Sequence, residues 1–125
     1  MRLSKWLAGA AIATATLALG NIPAAVAGEA DFTLVNGTGI DINEIYISPA
    51  NRRQWGSDRL GRNSLDNGKS RLFTFSDSAN CNQDMKVVFD DNAGEVVWQN
   101  LNLCEINKLT LRYNRSNGSV TAIKE

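Results

Sequence analysis

The sequence contains no histidine. That absence removes Ser-His-Asp and Cys-His catalysis, the commonest general base near neutral pH, and every histidine-based metal site. The two cysteines, Cys81 and Cys104, lack CxxC redox spacing, and two thiolates without an imidazole make a poor zinc site. The glycines form neither GxGxxG nor GxxxxGK, so no phosphate loop is expected and no cofactor or metal is assigned. After the first thirty residues there is no apolar run long enough to cross a membrane. A surplus of positive charge is missing as well: 13 Lys and Arg balance 13 Asp and Glu, which argues against nucleic acid as a partner.

The amino terminus is where the apolar residues concentrate. Arg2 and Lys5 precede an uncharged stretch, Trp6 to Leu19, dominated by Ala, Leu and Ile. Asn21 and Pro23 then break that apolar helix ahead of Ala25-Val26-Ala27. This is the three-part order of a secretory signal peptide. Small side chains at Ala25 and Ala27 suit the shallow pockets of signal peptidase and place the cut between Ala27 and Gly28. A membrane anchor needs roughly 20 apolar residues and no cleavage motif, so the exported chain is expected not to be membrane-embedded. No cysteine follows the apolar core to carry a lipid, and no Arg-Arg pair marks the twin-arginine route. The alanine-rich style is bacterial, and the expected destination is the periplasm or the extracellular space by the general secretory route.

Removing residues 1–27 leaves 98 residues, enough for one domain. Arg2 and Lys5 go with the signal, so 11 basic residues face 13 acidic ones, a net charge near −2. In an oxidising compartment the isolated pair Cys81 and Cys104 is expected to form a disulfide. Closing that loop stabilises the fold by about 3 kcal/mol in the chain-entropy model.

Residues 28–125 alternate in short apolar and polar steps between turn residues, the pattern of strands. Strands are expected at 32–36, 42–48, 71–75, 85–90, 95–99, 109–113 and 119–123. Asp91-Asn92-Ala93-Gly94 supplies hairpin chemistry between the fourth and fifth. No helix of ten residues is expected, only a single turn from Ser57, closed by Gly61, within the irregular stretch 49–69. The expected fold is all-β, a small antiparallel β-sandwich of about seven strands with one face of each sheet buried. Cys81 and Cys104 each precede a strand, so their bridge is expected to pin two strand starts and not to cross the core.

Several short strings resemble the pattern of a family of small secreted bacterial β-sandwich-like domains of unestablished function. They are Phe32-x-Leu34-x-Asn36-x-Thr38-Gly39, Ile42-x-x-Ile45-Tyr46-Ile47-Ser48-Pro49, Trp55-Gly56-x-Asp58-x-Leu60-Gly61, Leu65-x-x-Gly68-x-Ser70 and Cys81-x-x-Asp84, with Cys104-Glu105 later. Together they cover nearly the whole exported domain. The resemblance implies a secreted β-sandwich-like module and brings no catalytic residues with it. Asn82-Gln83 departs from the pattern, which has an aromatic residue beside the Asp.

The chemistry left to weigh lies in carboxylates and in one loop. Asp84, Asp90, Asp91 and Glu95 would serve a carboxylate-dependent glycan hydrolase if two of them converged in a cleft about 5–9.5 Å apart. Turn-forming Asp is the plainer explanation, because its side chain bonds nearby backbone N–H groups. The segment Asn51-Arg52-Arg53-Gln54-Trp55-Gly56-Ser57-Asp58-Arg59 sets a large aromatic among cations, as a recognition surface does. Alternatively Trp55 folds back as a plug on one end of the sandwich, with Asp58 capping the turn and pairing with an Arg. Trp98, alternating with Val96, is expected in the core. The expectation is an exported, non-enzymatic binding or structural module whose partner is a protein or an anionic envelope or glycan component. Its candidate binding residues are Arg52, Arg53, Trp55 and Arg59. The alternatives are the hydrolase, or a small secreted inhibitor or effector acting through the 49–69 loop.

Overall fold

A computed structural model describes residues 28–125. The expected export signal over residues 1–27, with Ala27 at its end, lies outside the described residues. Seven strands run in the order β1 (Phe32–Gly37), β2 (Ile42–Pro49), β3 (Ser70–Phe73), β4 (Asn82–Phe89), β5 (Glu95–Asn102), β6 (Lys108–Asn114) and β7 (Ser119–Lys124). They form a four-stranded sheet, β3-β1-β6-β7, and a three-stranded sheet, β2-β4-β5. The protein is an all-β sandwich. All neighbours are antiparallel except β1 and β6, which run parallel from Thr33↔Lys108 to Gly37↔Arg112. That pair departs from a purely antiparallel sandwich. It arises because the chain leaves β5 through a 3-10 turn, Leu103–Glu105, and re-enters the other sheet alongside the start of β1.

The inward faces meet in one hydrophobic cluster. Phe32, Leu34, Leu109 and Leu111 of the first sheet are buried together with Ile42, Ile45, Met85 and Val87 of the second. Strand alternation places them: the burial pattern of β1 is strictly period-two, and so is that of β4 from Asn82 onward. Two β-bulges explain where the period slips. A register shift between Ile42 and Glu44 lets Ile42 and Ile45, three apart, both point inward. A second shift pairs Gln83 with Leu101 but Met85 with Trp98, so β5 carries one extra residue. Asn100 takes that bulge position with φ 59° and gives its N–H to the Asp84 carboxylate at 2.8 Å. β5 therefore continues past Gln99, where unbroken alternation ends.

Residues 50–69 hold no helix. Two hydrogen-bonded turns, Gly61 N–H to Asp58 C=O and Asn63 N–H to Leu60 C=O, stand where the single helical turn was expected. The only helical element among the described residues is the 3-10 turn at Leu103–Glu105. The 50–69 segment lies against the free edge of β2. Ile42 and Leu65 exchange both backbone hydrogen bonds at 2.9 Å, and Arg59 gives its N–H to Ile45 C=O at 2.6 Å. Leu60 and Leu65 are buried in the core. Covering an edge in this way hides backbone groups that would otherwise template intermolecular pairing.

Cys81 and Cys104 form the disulfide, with Cα atoms 5.1 Å apart. Cys81 immediately precedes β4 and Cys104 lies in the 3-10 turn before β6, so the bridge pins two strand starts at one end of the sandwich. Gly28, at the other limit of the described chain, is buried, and a Cβ there would collide with the Phe75 carbonyl oxygen. Backbone meets backbone there, and only glycine fits.

Candidate functional site

The four loop residues singled out from the sequence do not form one cluster. Arg52 and Arg53 are exposed at the turn that follows β2, closed by Arg52 N–H on Pro49 C=O at 3.2 Å. Arg59 is held elsewhere: its half-buried guanidinium lies 4.6 Å above the Phe75 ring, and burial lowers its pKa from the ordinary value. Phe75 in turn stacks on Phe32, which stacks on Phe73, with centroids 6.4 Å and 5.6 Å apart. Arg59 thus closes an aromatic stack at the edge of the core. Its stem and cation are used by the fold.

Trp55 is half-buried and is not packed against the core cluster. It lies on the outer face of the β2-β4-β5 sheet, beside Lys86, and the residue of this loop that enters the core is Leu60. Asp58 caps the turn as expected, since one carboxylate oxygen accepts from Leu60 N–H at 3.0 Å and from Ile45 N–H at 2.9 Å. It makes no ion pair with an arginine; the ion pair seen among the described residues joins Lys108 to Glu125. Trp98 is half-buried and packs on the core.

What Trp55 does touch was not singled out in the sequence. Register sets Tyr46, Lys86 and Val97 side by side across β2, β4 and β5, all on the outer face. The Lys86 ammonium lies 4.9 Å from the Tyr46 ring centroid and 5.4 Å from that of Trp55. Two π-faces attract a cation from distances of this order. No carboxylate pairs with Lys86 among the described residues. The Tyr46 hydroxyl donates to a Glu44 carboxylate oxygen at 2.7 Å. That bond, then partial burial, then the negative charges of Glu44, Asp58 and Glu95, push the Tyr46 pKa up to about 12. The result is an aromatic platform, Trp55 and Tyr46, with a fixed cation in its middle and Arg52 and Arg53 close by in sequence. The alternation of Tyr46 against Ile45 and Ile47 is the signal that could have found it. The cross-strand partner Lys86 required the register.

The candidate carboxylates are spread along β4 and its hairpin. Asp90, Asp91 and Glu95 are exposed at the β4–β5 hairpin, where Asp91 and Asn92 take φ 56° and 57° to make the turn. Asp84 is spent on the bulge N–H of Asn100. From Asp84 to Asp90 the chain advances six residues, about 20 Å along a strand, beyond the separation a glycosidase pair uses. Glu29 brings an oxygen within 4.8 Å of both cysteine sulfurs, but those sulfurs are joined to each other and offer no thiolate.

A concave feature lies at the disulfide end of the same sheet. A cleft of about 320 Å³ is lined by Ala50, Asn51, Asn80, Cys81, Asn82 and Asn100. No protein-family description, curated protein or solved structure matches this chain.

Proposed function

We propose that this protein is an exported, non-enzymatic binding module that takes an anionic partner of the envelope or extracellular space on the outer face of the β2-β4-β5 sheet. The observation that carries the proposal is the Lys86 ammonium held between the rings of Tyr46 and Trp55 with no carboxylate against it. A cation set against two rings keeps its remaining side for an anion, and the flanking rings offer flat apolar area at low entropic cost. Arg52 and Arg53 add exposed forked donors nearby in the chain. Arg59, employed by the fold, is not part of this site. Export is supported by the signal-like amino terminus and by the disulfide, a bond that persists in oxidising compartments. Among the described residues no helix is long and apolar enough to cross a membrane.

The test is co-sedimentation of the protein, recovered after expression of the full chain, with isolated cell envelopes. Binding should weaken as salt rises, and Trp55→Ala, Lys86→Ala and the double variant Arg52→Glu/Arg53→Glu should each weaken it about tenfold, roughly 1.4 kcal/mol. Equal binding by Lys86→Ala and the parent protein would sink the proposal.

A further inference from the structure

The four asparagines of the cleft at the disulfide end behave unlike their neighbours. Asn102, Asn114 and Asn117 each spend a side-chain oxygen on a backbone N–H two residues ahead, the usual reason for asparagine in a turn. Asn51, Asn80, Asn82 and Asn100 do not: among the described residues none of their side-chain amides is bonded to the protein, and all four face one cleft. All four are exposed, and the backbone at each is held. Asn80 and Asn82 flank Cys81, which is tied by the disulfide and by its own carbonyl accepting from Leu103 N–H at 2.9 Å. Asn80 C=O accepts from the buried Gln83 side chain at 2.8 Å, and Asn82 C=O accepts from Ala50 N–H at 3.0 Å. Asn100 is set by the bulge and its bond to Asp84. Asn51 takes φ 75° at the third position of the turn closed by Pro49 and Arg52, a position that favours Gly or Asn.

The lining carries no charged side chain. A carboxamide offers two donors and an acceptor, the mixture presented in turn by neighbouring hydroxyls. A charged ligand would find no counter-charge in the lining, and an apolar one would strand four amides. The volume falls at the low end for ligand pockets, room for one sugar ring. The cleft and the platform share the outward face of β4, along which Asn82, Asp84 and Lys86 alternate. Asn82 and Lys86 are therefore about 13 Å apart along the strand, a span that a short oligosaccharide covers.

From these observations we infer that the cleft is a saccharide subsite, taking one uncharged, hydroxyl-bearing sugar unit through Asn51, Asn80, Asn82 and Asn100. The inference rests on the binding function proposed above and narrows its partner to a glycan. The test is NMR titration of the isotope-labelled protein, recovered after expression of the full chain, with chitotetraose, maltotetraose, mannotetraose and tetragalacturonate. At least one neutral probe should shift the side-chain amide signals of the four asparagines. Asn82→Ala and Asn100→Ala should each raise its Kd about tenfold without shifting the platform signals of the unbound protein. The inference is overturned if no probe moves those amide signals, or if both variants bind as the parent does. Tetragalacturonate that shifts Trp55 and Lys86 while no neutral probe moves the asparagine amides would leave the anionic platform standing and remove the cleft. A neutral probe that binds the asparagines equally well in Lys86→Ala, with envelope binding also unchanged in that variant, would keep the cleft and remove the platform.

Discussion

One carboxylate oxygen of Asp58 accepts the backbone N–H of Ile45, thirteen residues earlier in the chain, at 2.9 Å. The same oxygen holds Leu60 N–H at 3.0 Å, and Arg59 N–H returns to Ile45 C=O at 2.6 Å. A strand edge and a loop are thus clasped through a single side chain. Charged acceptors on backbone N–H groups form the stronger class of hydrogen bond. Asp58→Ala should cost about 2–4 kcal/mol, since two partly buried donors lose their acceptor. Asp58→Asn, which keeps a carbonyl oxygen, should cost less. Denaturant unfolding measures the difference. Hydrogen exchange should show faster exchange at Ile45 and Leu60 in Asp58→Ala; unchanged protection there would mean the clasp does not hold the loop.

Arg59 and its loop neighbours should separate cleanly in function. Arg59→Ala removes a guanidinium from the Phe75 ring and a stem from the core edge, and should lower stability by about 1 kcal/mol. Its envelope binding should match the parent once both are folded. Arg52→Glu/Arg53→Glu should do the reverse, leaving thermal unfolding within about 0.5 kcal/mol while weakening binding. An Arg59→Ala variant with normal stability and lost binding would return Arg59 to the recognition surface.

Asn36 is fully buried yet polar, and every group on its side chain is used. Its amide nitrogen donates to Ile40 C=O at 2.8 Å and Leu65 C=O at 2.9 Å, and its oxygen accepts from Thr38 N–H and the Thr38 hydroxyl. Gly39 follows with φ 89°. Asn36→Leu, near in volume, should cost about 3 kcal/mol or more, because it strands partners on two segments at once, the 38–40 loop and Leu65. Chemical denaturation decides this, and a cost below about 1 kcal/mol would show that water replaces the network.

The strands were legible because apolar alternation is itself the physical cause of a half-buried sheet. Their ends were not, where a bulge at Asn100 or near Asn43 shifted the period by one residue without any apolar signal. The motif pieces Asn36-x-Thr38-Gly39 and Trp55-Gly56-x-Asp58-x-Leu60-Gly61 read as a signature but leave the work of each residue open. In the fold Asn36, Thr38, Asp58 and Leu60 hold the loop segments to the sheet, and Gly61 takes φ 64° in the turn. The platform needed register: Lys86 lies forty residues from Tyr46 in sequence and opposite it across β2 and β4. The cleft needed three dimensions outright, since its asparagines come from a turn, a disulfide end and a bulge.

Tyr46 supplies a pH handle on the platform. Its pKa is raised from 10.0 to about 12, first by the hydrogen bond it donates to Glu44, then by burial and nearby negative charge. Because the folded pKa exceeds the unfolded one, the Tyr46–Glu44 bond contributes its full stability below pH 10. That contribution is lost as pH rises from about 10 through about 12. The direction follows from the charge: ionised Tyr46 cannot donate and is repelled by Glu44. In a Tyr113→Phe background, where Tyr46 is the only tyrosine left, ultraviolet absorbance should report its ionisation directly. Adding Glu44→Ala should move that ionisation down toward pH 10, and Glu44→Gln, which keeps an acceptor but no charge, should fall between. If Glu44→Ala leaves the ionisation where it was, the hydrogen bond is not what protects the phenol.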